Sequence, residues 1–461
     1  MQRVMTNLFQ SKARLMVVLR YILVGLVVIM GLARLRLILL LLGSPSTYQE
    51  RDVLQEYLMA KALISGVNPY LPLDQLAQMF IGKFPFLPHP APYPPFIAIL
   101  STPLLLFSLN NVIVVWFIIE VICLIAISCM LTVLWRGRVD WIRAIFIFFL
   151  LLTWYAVMVD LLYGQLTILL TTLLLAALLA FRKDQKILAG ALIGLSIAIK
   201  MFTWPLIIYF AIKKDWRTLI SSCLTAIGLN LIALIVMGIG PIMDYYLRVT
   251  MQVSVIYHSF LKNYSLWSIG YRLFAGTEPI GGDYISAPPM VNLPRLAPFV
   301  SAGLAVAFLL AGLIWAVRSK DRDIAYSIIV CVIVAISPIS WDHYYVMIVI
   351  SLAVLWLNLS KHSFPAWPTI LFIVIAFMLF LFNDHIAEVI YILNGGSNLL
   401  QANGNRITFA SSLLEILPMV ELVVLTIILW RRGVIPEQAT IIDNVDSTII
   451  PDNPKSTPQY P

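Results

Sequence analysis

Long apolar runs separated by short basic clusters constrain this chain more than any other feature of its sequence. Of its 461 residues, 61% are hydrophobic and only 12% are charged, whereas soluble domains carry about a quarter charged residues. In membrane proteins, lysines and arginines gathered in short loops mark the cytoplasmic side of the bilayer. The chain is therefore predicted to be a polytopic membrane protein. Its net charge of +8 is a topological signal and does not indicate nucleic-acid binding.

The apolar runs and the basic clusters together predict the number of membrane crossings. The runs lie near residues 21–43, 96–109, 112–135, 144–160, 166–181, 187–199, 203–212, 219–240, 297–317, 324–338, 344–358, 366–382 and 412–430. Both chain ends are predicted to be cytoplasmic, which requires an even number of crossings. The run at 96–109 contains Pro103 and is shorter than the ~20 residues of a full span. We predict that it enters the bilayer without crossing it, which leaves an all-α bundle of about twelve transmembrane helices. The alternative is that it crosses and places residues 136–143 outside, against the charge rule.

The same signals divide the chain into six segments. These are a cytoplasmic N-terminus with the first helix (1–43), a long first extracytoplasmic loop (44–93), a transmembrane bundle (94–240), a large extracytoplasmic loop rich in aromatic residues, glycine and proline (241–296), a second transmembrane bundle (297–432) and a polar cytoplasmic tail (433–461). The composition of the tail predicts disorder. The four cysteines all lie within apolar runs, so we expect neither a disulfide framework nor a metal site.

Asp52 lies just past the first apolar run and opens a helix-like stretch that ends near Ile64. A carboxylate fixed at a membrane mouth suits chemistry on a lipid-borne substrate. The same position is compatible with a plain structural role, because aspartate is a favoured helix N-cap. Glu56 lies one turn further along the same face, and we interpret it as a solvated side chain.

Several short motifs follow one another on the predicted outer side of the membrane. They comprise Asp52, Tyr57, Gly66, Asn68, Pro69, Tyr70, Tyr93, Pro94, Pro95, Gly164, Gln165, Ala189, Gly190, Lys200, Pro205, Asn263, Ser265, Ser337, Pro338, Trp341 and His343. In their order and sidedness they resemble glycosyltransferase family 87, a family of GT-C membrane glycosyltransferases, over roughly residues 45–350. Three positions depart from the family pattern, namely Val53, Thr167 and Tyr344.

The resemblance implies a GT-C-like fold and an inverting transfer of a mannose-like hexose from a polyprenyl-phosphate donor to a lipid or glycan acceptor. It places the reaction on the outer face of the plasma membrane and needs neither a nucleotide nor another cofactor. Asp52 is then the general base that takes the proton of the attacking hydroxyl. The other predicted substrate-binding residues are Tyr70, Tyr93, Gln165, Lys200, Asn263 and His343.

Each of these residue types suits a defined part of the substrate. The cation of Lys200 and the imidazole of His343 match a lipid phosphate, while the amides of Gln165 and Asn263 match sugar hydroxyls. Simpler explanations remain open. Lys200 could extend towards water, as lysines at span ends do, Gln165 and Asn263 could be amides at helix ends, and His343 could belong to an interfacial aromatic belt. An alternative function is a lipid-linked oligosaccharide transporter, which needs polar residues along a path through the bilayer. A non-catalytic subunit of an envelope complex is a third possibility.

Overall fold

The computed structural model describes residues 2–43, 51–82, 88–280, 285–361 and 406–434, together with residues 371–372, 374, 376, 389–390 and 392–396. The predicted run at 366–382 and the predicted tail fall largely outside these residues. The helices whose two ends are described are α1 (Gln2–Leu42), α2 (Val53–Ile64), α3 (Leu73–Phe80), α4 (Pro95–Leu100), α5 (Leu109–Arg136), α6 (Trp141–Thr153), α7 (Tyr155–Tyr163), α8 (Thr167–Arg182), α9 (Lys186–Ile199), α10 (Pro205–Ile212), α11 (Trp216–Met237), α12 (Ile239–Asp244), α13 (Thr250–His258), α14 (Leu266–Phe274), α15 (Ala297–Arg318), α16 (Arg322–Ile336), α17 (Ile348–Lys361), α18 (Phe409–Leu414) and α19 (Leu417–Val434). Strand pairing within the described ranges is limited to isolated β-bridges.

Six helical segments in the described ranges are long and apolar enough to cross a bilayer. They are Val17–Leu42, Leu109–Arg136, Trp216–Met237, Pro294–Arg318, Asp342–Leu359 and Phe409–Val434. Helices α6 and α7 add a seventh if they are counted as one span, although they meet at an angle of 78°. The protein is therefore an all-α polytopic membrane protein, which confirms the predicted fold class. The count of about twelve crossings stays a prediction.

The run predicted to enter the bilayer without crossing it is a short, interrupted element. Helix α4 ends at Leu100, and a 3-10 helix follows over Thr102–Leu106 with Pro103 in its first turn. An α-helix rises 1.5 Å per residue and a 3-10 helix about 2.0 Å, so these dozen residues reach about 21 Å, well under the ~30 Å of a hydrocarbon core. The element is as short as the sequence predicts, and its depth in the bilayer stays a prediction.

Helix α16 forms the centre of the bundle. Every residue from Ile324 to Ile336 is buried, and the helix packs against α15, α17 and α19. A helix that is apolar on all sides is stable only where other elements surround it. Its neighbours α8 and α9 are also largely buried, so one continuous core joins the two halves of the chain.

Small residues bring α9 and α11 into close contact. A side-chain carbon added at Gly190 would lie 2.4 Å from the carbonyl oxygen of Thr218, and one added at Gly194 would lie 2.4 Å from that of Ser222. Small residues spaced four apart allow membrane helices to approach this closely. The packing fixes α9, whose end delivers Lys200 to the tip of the short hairpin formed with α10.

The segment predicted as a large extracytoplasmic loop at 241–296 contains several helices, and its place outside the bilayer stays a prediction. It contains α12, a π-helical turn over Tyr245–Val249, α13 and α14. The side chains of Tyr245, Val249, Val253 and Tyr257 are buried at a spacing of four residues. This spacing places them on one helix face, where they pack with the first extracytoplasmic segment.

Candidate functional site

Asp52 occupies the N-cap position of α2, but its side chain does not cap the helix. Its backbone torsions are helical and its carboxylate makes no hydrogen bond to the amides of the first turn. The carboxylate instead accepts a hydrogen bond from Nε2 of Gln55 at 2.5 Å and another from Nε2 of Gln165. The capping explanation therefore does not account for this residue, because both carboxylate oxygens face amides outside the helix backbone.

The turn after α7 holds Asp52 by its backbone as well as by its side chain. The Asp52 amide donates to the Tyr163 carbonyl at 2.8 Å, next to the Gln165 side chain that donates to the carboxylate. Gly164 connects these two anchors with a φ of +66°, a region that favours glycine. A side-chain carbon there would lie 2.9 Å from Cβ of Val53 and 3.0 Å from Cδ1 of Trp116. The turn therefore needs glycine both for its conformation and for the close approach of α2.

Lys200 is the cation of this cluster. It is only 6% exposed, and its Nζ lies 3.5 Å from Oε1 of Gln165 and 4.5 Å from the ring centre of Tyr344. In the part of the chain that the structure describes, the ion pairs do not include Lys200. The Asp52 carboxylate is close enough for the two charges to interact, and Gln165 lies between them, with its Nε2 bonded to Asp52 and its Oε1 facing Lys200.

Burial raises the pKa of Asp52 to about 6, and the Lys200 cation and the hydrogen bonds from Gln55 and Gln165 hold it below the value that burial alone would give. Glu56, which the sequence analysis treated as solvated, is fully buried, and that interpretation was wrong. Burial and the nearby Asp52 charge raise the pKa of Glu56 well above its usual range. With its pKa of about 6, Asp52 is a carboxyl of this pair that loses its proton below neutral pH.

Tyr93 and Tyr70 lie on the same side of the cluster but have different surroundings. The ring centre of Tyr93 is 5.6 Å from the Lys200 ammonium. Tyr70 is fully buried and donates its hydroxyl to the Tyr93 carbonyl at 2.9 Å. Its own backbone amide donates to Oδ1 of Asn68, and the Asn68 amide donates to Asp244 at 2.6 Å. The motif around Asn68 and Tyr70 therefore ties the first extracytoplasmic segment to the segment that follows α11.

Asn263 uses its whole side chain to join two segments of the protein. Its Nδ2 donates to the carbonyls of Tyr257 at 3.0 Å and Pro338 at 3.1 Å. Its Oδ1 accepts from the amides of Ser265 at 3.1 Å and Ser340 at 3.0 Å. These four bonds are the full capacity of an amide. Asn263 thus positions the turn that leads to His343, and its predicted direct contact with a sugar stays a prediction.

His343 is buried in a 3-10 helix over Asp342–Met347. Its ring lies 6.4 Å from Trp341 and 4.8 Å from Tyr344, and Lys200 is near enough to act on it electrostatically. Four of the predicted residues thus form one cluster, and His343 lies beside it. The four are Asp52, Tyr93, Gln165 and Lys200. Tyr70 and Asn263 support this group from behind.

The sequence analysis missed several residues that complete the site. Gln55 lies three positions after Asp52 on the same helix face, a spacing that brings side chains together. His89 contacts the Tyr257 hydroxyl at 2.8 Å through Nε2, and the Tyr257 ring lies 5.4 Å from Trp341. No spacing in the sequence indicates the contacts of Tyr257 with His89 and Trp341. They form only because the segment at 241–258 folds onto the first extracytoplasmic segment.

Two further carboxyl groups lie behind the Gln165 turn. Glu120 on α5 and Asp160 on α7 are 1% and 0% exposed, and they interact with each other. Oδ1 of Asp160 accepts from the Ile168 amide at 3.3 Å, and the Asp160 carbonyl accepts from the Gln165 amide at 3.0 Å. Asp160 therefore helps to fix the turn that presents Gln165. In the described ranges no three His, Cys, Asp or Glu side chains group as metal ligands do, and the expectation of a metal-free site stays a prediction.

The fold and the site define a helical membrane protein with a buried acid, a buried cation and amide side chains at one mouth of its bundle. A sequence model of glycosyltransferase family 87 matches residues 92–338. Because this match covers more than half of the chain, the protein belongs to glycosyltransferase family 87 and is a membrane glycosyltransferase. The matched residues include Tyr93, Gln165, Lys200 and Asn263, whereas Asp52 lies before them. A search of the curated proteins finds no match to the chain.

Proposed function

We propose that this glycosyltransferase moves a mannose-like hexose from a polyprenyl-phosphate sugar to a lipid or glycan acceptor, with inversion, and that Asp52 is its general base. One observation carries the proposal. The Asp52 carboxylate does not cap its helix; the side-chain amides of Gln55 and Gln165 hold it in the same cluster as the buried Lys200 cation. An oriented carboxylate and a buried cation in one cluster support base catalysis and binding of a phosphate leaving group.

Asp52 has the properties that a base needs. The acceptor hydroxyl must lose its proton as it attacks the anomeric carbon, and a carboxylate within hydrogen-bond reach takes that proton. With a pKa of about 6, Asp52 is ionised at neutral pH and is a stronger base than an ordinary aspartate. The two amides that hold it fix the direction of its oxygens, so the carboxylate is oriented before the substrates bind.

The leaving group of the proposed reaction is a lipid phosphate whose negative charge grows as the sugar departs. A fixed cation in a site shielded from water stabilises such charge strongly. Lys200 meets this need, since it is already buried among Tyr93, Phe202 and Tyr344. His343 is the next group along this wall, and we assign it a contact with the phosphate or with the acceptor.

The sugar is proposed to lie between the amide of Gln165 and the ring of Tyr93. Amides serve as donors and acceptors for sugar hydroxyls, and aromatic rings offer an apolar face against which a sugar packs. In this arrangement Tyr70 and Asn263 act on the substrate indirectly, since their hydrogen bonds fix Tyr93 and the turn before His343.

We further propose that the site faces outward from the plasma membrane, within a GT-C-like bundle of about twelve helices. Helix α8 starts beside Gln165 and ends at Arg182, which belongs to a basic cluster with Lys183 and Lys186. Since such clusters favour the cytoplasmic side, the Asp52 end of the bundle is assigned to the opposite side.

The decisive experiment measures transfer by the purified full chain in lipid nanodiscs, with a panel of polyprenyl-phosphate sugars and a membrane lipid extract as acceptor. Asp52→Asn should lower the transfer rate by on the order of a hundredfold or more, while donor binding persists. Asp140→Asn is a matched control, because Asp140 does cap its helix, accepting from the Arg143 amide at 3.2 Å, and asparagine caps nearly as well.

Retained transfer by Asp52→Asn contradicts the proposed base. Translocation of the lipid-linked sugar without any transfer product supports the transporter alternative instead. A large loss of activity in Asp140→Asn as well would show that the assay responds to the aspartate-to-asparagine change in general and not to the loss of a base.

A further inference from the structure

A polar cavity lies at the end of the bundle opposite to Asp52. It has a volume of about 620 Å³ and is lined in part by Phe181, which lies in the last turn of α8. Helix α8 contains 16 residues, which at 1.5 Å per residue separates its two ends by about 24 Å. The cavity is therefore remote from the carboxylate site and does not take part in the proposed transfer chemistry.

The lining of this cavity is strongly cationic. Its basic side chains are Lys186, Lys213, Lys214, Arg318, Lys320 and Arg322. Asp215 is the acidic residue of the same lining, and it lies 3.4 Å from Lys186. The lining therefore carries six basic side chains and one acidic side chain, with Asp184, Asp321 and Asp323 close to it. The sequence rule for cytoplasmic loops explains why basic residues occur at this end of the bundle. It does not explain why they converge on one cavity.

The cavity is built from two turns that are fixed to each other. Lys213, in the turn between α10 and α11, donates its ammonium to the Val317 carbonyl at the end of α15 at 2.7 Å. Across the cavity, the Arg322 guanidinium lies 5.9 Å from the ring centre of Phe181. Burial and the nearby Arg322 charge lower the pKa of Lys213. The Arg322 and Lys213 cations therefore repel each other, and a bound anion would relieve that repulsion.

We propose that this cavity binds a phosphate-bearing anion, either the head group of an anionic membrane lipid or a soluble phosphate. Basic pockets between membrane helices on the cytoplasmic side suit such head groups. The aromatic floor formed by Phe181, Tyr209 and Phe210 provides an apolar wall beside the charges, which favours an amphipathic lipid over a free ion. The proposal does not depend on the sugar-transfer reaction.

The test uses the purified full chain in detergent and measures the binding of three probes by calorimetry. These are dihexanoyl-phosphatidylglycerol, dihexanoyl-phosphatidylcholine and inorganic phosphate. The variant Lys214→Gln with Lys320→Gln removes two exposed cations of the cavity. The matched control, Arg138→Gln with Lys183→Gln, removes the same charge from exposed positions at the same end but outside the lining. Thermal unfolding without probe checks that both double variants fold as the parent does.

The cavity variant should weaken phosphatidylglycerol binding by about 30-fold, and the control should leave it within about twofold. Binding should also fall as salt is added, because exposed charges are screened. Preference for phosphatidylglycerol over inorganic phosphate identifies a lipid site, and equal affinity for the two identifies a soluble phosphate site. The proposal is overturned if the parent binds neither anionic probe, if it binds phosphatidylcholine equally well, or if the two double variants lose affinity to the same extent.

Discussion

The geometry around Gly164 gives the most direct test of how the site is assembled. Gly164 has a φ of +66° and separates the Tyr163 carbonyl, which holds the Asp52 amide, from Gln165, which holds the Asp52 carboxylate. Gly164→Ala adds a carbon 2.9 Å from Cβ of Val53, whereas ordinary contacts begin near 3.4 Å. The start of α2 must therefore move away from residue 164 by about 0.5 Å, the difference between these two distances, and Asp52 moves with it.

Two costs follow from this substitution, and they are separable. The left-handed backbone costs a non-glycine residue roughly 1–3 kcal/mol of stability. The displacement of Asp52 lowers the transfer rate, because misplacing a catalytic group by about 1 Å costs on the order of a hundredfold. A shift of half that size predicts a loss of about tenfold in kcat.

Gly137→Ala is the matched control. Gly137 ends α5 with a φ of +72° and has no atom within 4 Å of the position that a side-chain carbon would take. It carries the same backbone cost without the displacement, at the end of the bundle remote from Asp52. Thermal unfolding should show a loss of stability for both variants, larger for Gly164→Ala because it adds close contacts to the backbone cost, and the transfer assay should show a loss of kcat only for Gly164→Ala. Equal transfer rates in the two variants at matched folded fractions would refute the argument that this turn positions the base.

Three further predictions follow from the same contacts. The transfer rate of the parent should rise with pH through about 6 as Asp52 loses its proton. In Lys200→Gln this rise should move to higher pH, because the Lys200 cation lowers the pKa of Asp52. pH–rate profiles measure both, and an unchanged profile in Lys200→Gln would contradict an electrostatic interaction between the two side chains. Folding raises the pKa of Asp52 from 3.8 to about 6, so the stability that this carboxyl contributes at low pH is lost as pH rises through 6. The unfolding free energy of the parent relative to Asp52→Asn should therefore fall by about 1–3 kcal/mol between pH 3.5 and pH 7.5, and a difference that does not change with pH in denaturant unfolding would contradict the burial argument. Asn263→Asp places a carboxylate oxygen against two carbonyls in place of the donating NH₂, and it should lower the unfolding free energy by roughly 2–4 kcal/mol. Thermal unfolding measures the loss, and near-parental stability would show that the four bonds of Asn263 contribute little.

The parts of the structure that the sequence predicted are those encoded in short stretches of chain. The apolar runs predicted most of the long helices, the helix-like stretch from Asp52 to Ile64 predicted α2, and the short run with Pro103 predicted the interrupted element after α4. These features depend on local hydropathy and backbone sterics. The bend between α6 and α7 at Trp154 was not predicted, because no proline or glycine marks it and Trp154 adopts an extended backbone between the two helices.

Contacts between distant segments account for what the sequence did not predict. Glu56 has the composition of a solvated surface residue, and only the packing of α2 against its neighbours buries it. The apolar spacing from Tyr245 to Tyr257 was present in the sequence, but the surrounding glycines and prolines favoured a loop. For Asn263 the residue type was identified as important, and yet its four bonds to segments near 257 and 338 become visible only in three dimensions.

Asp52 combines two structural costs that a purely structural residue would avoid. By facing Gln55 and Gln165 it forgoes the capping bond to its own helix, which is worth about 1 kcal/mol. By lying partly buried it carries a charge at neutral pH that the fold opposes. Asparagine at this position would remove the second cost, at the expense of one of the two hydrogen bonds that the carboxylate accepts. Local departures from the most stable choice concentrate at functional sites. The retention of an ionisable group here, beside a buried lysine that also stands outside the described ion pairs, is therefore the structural feature that most favours chemistry over packing.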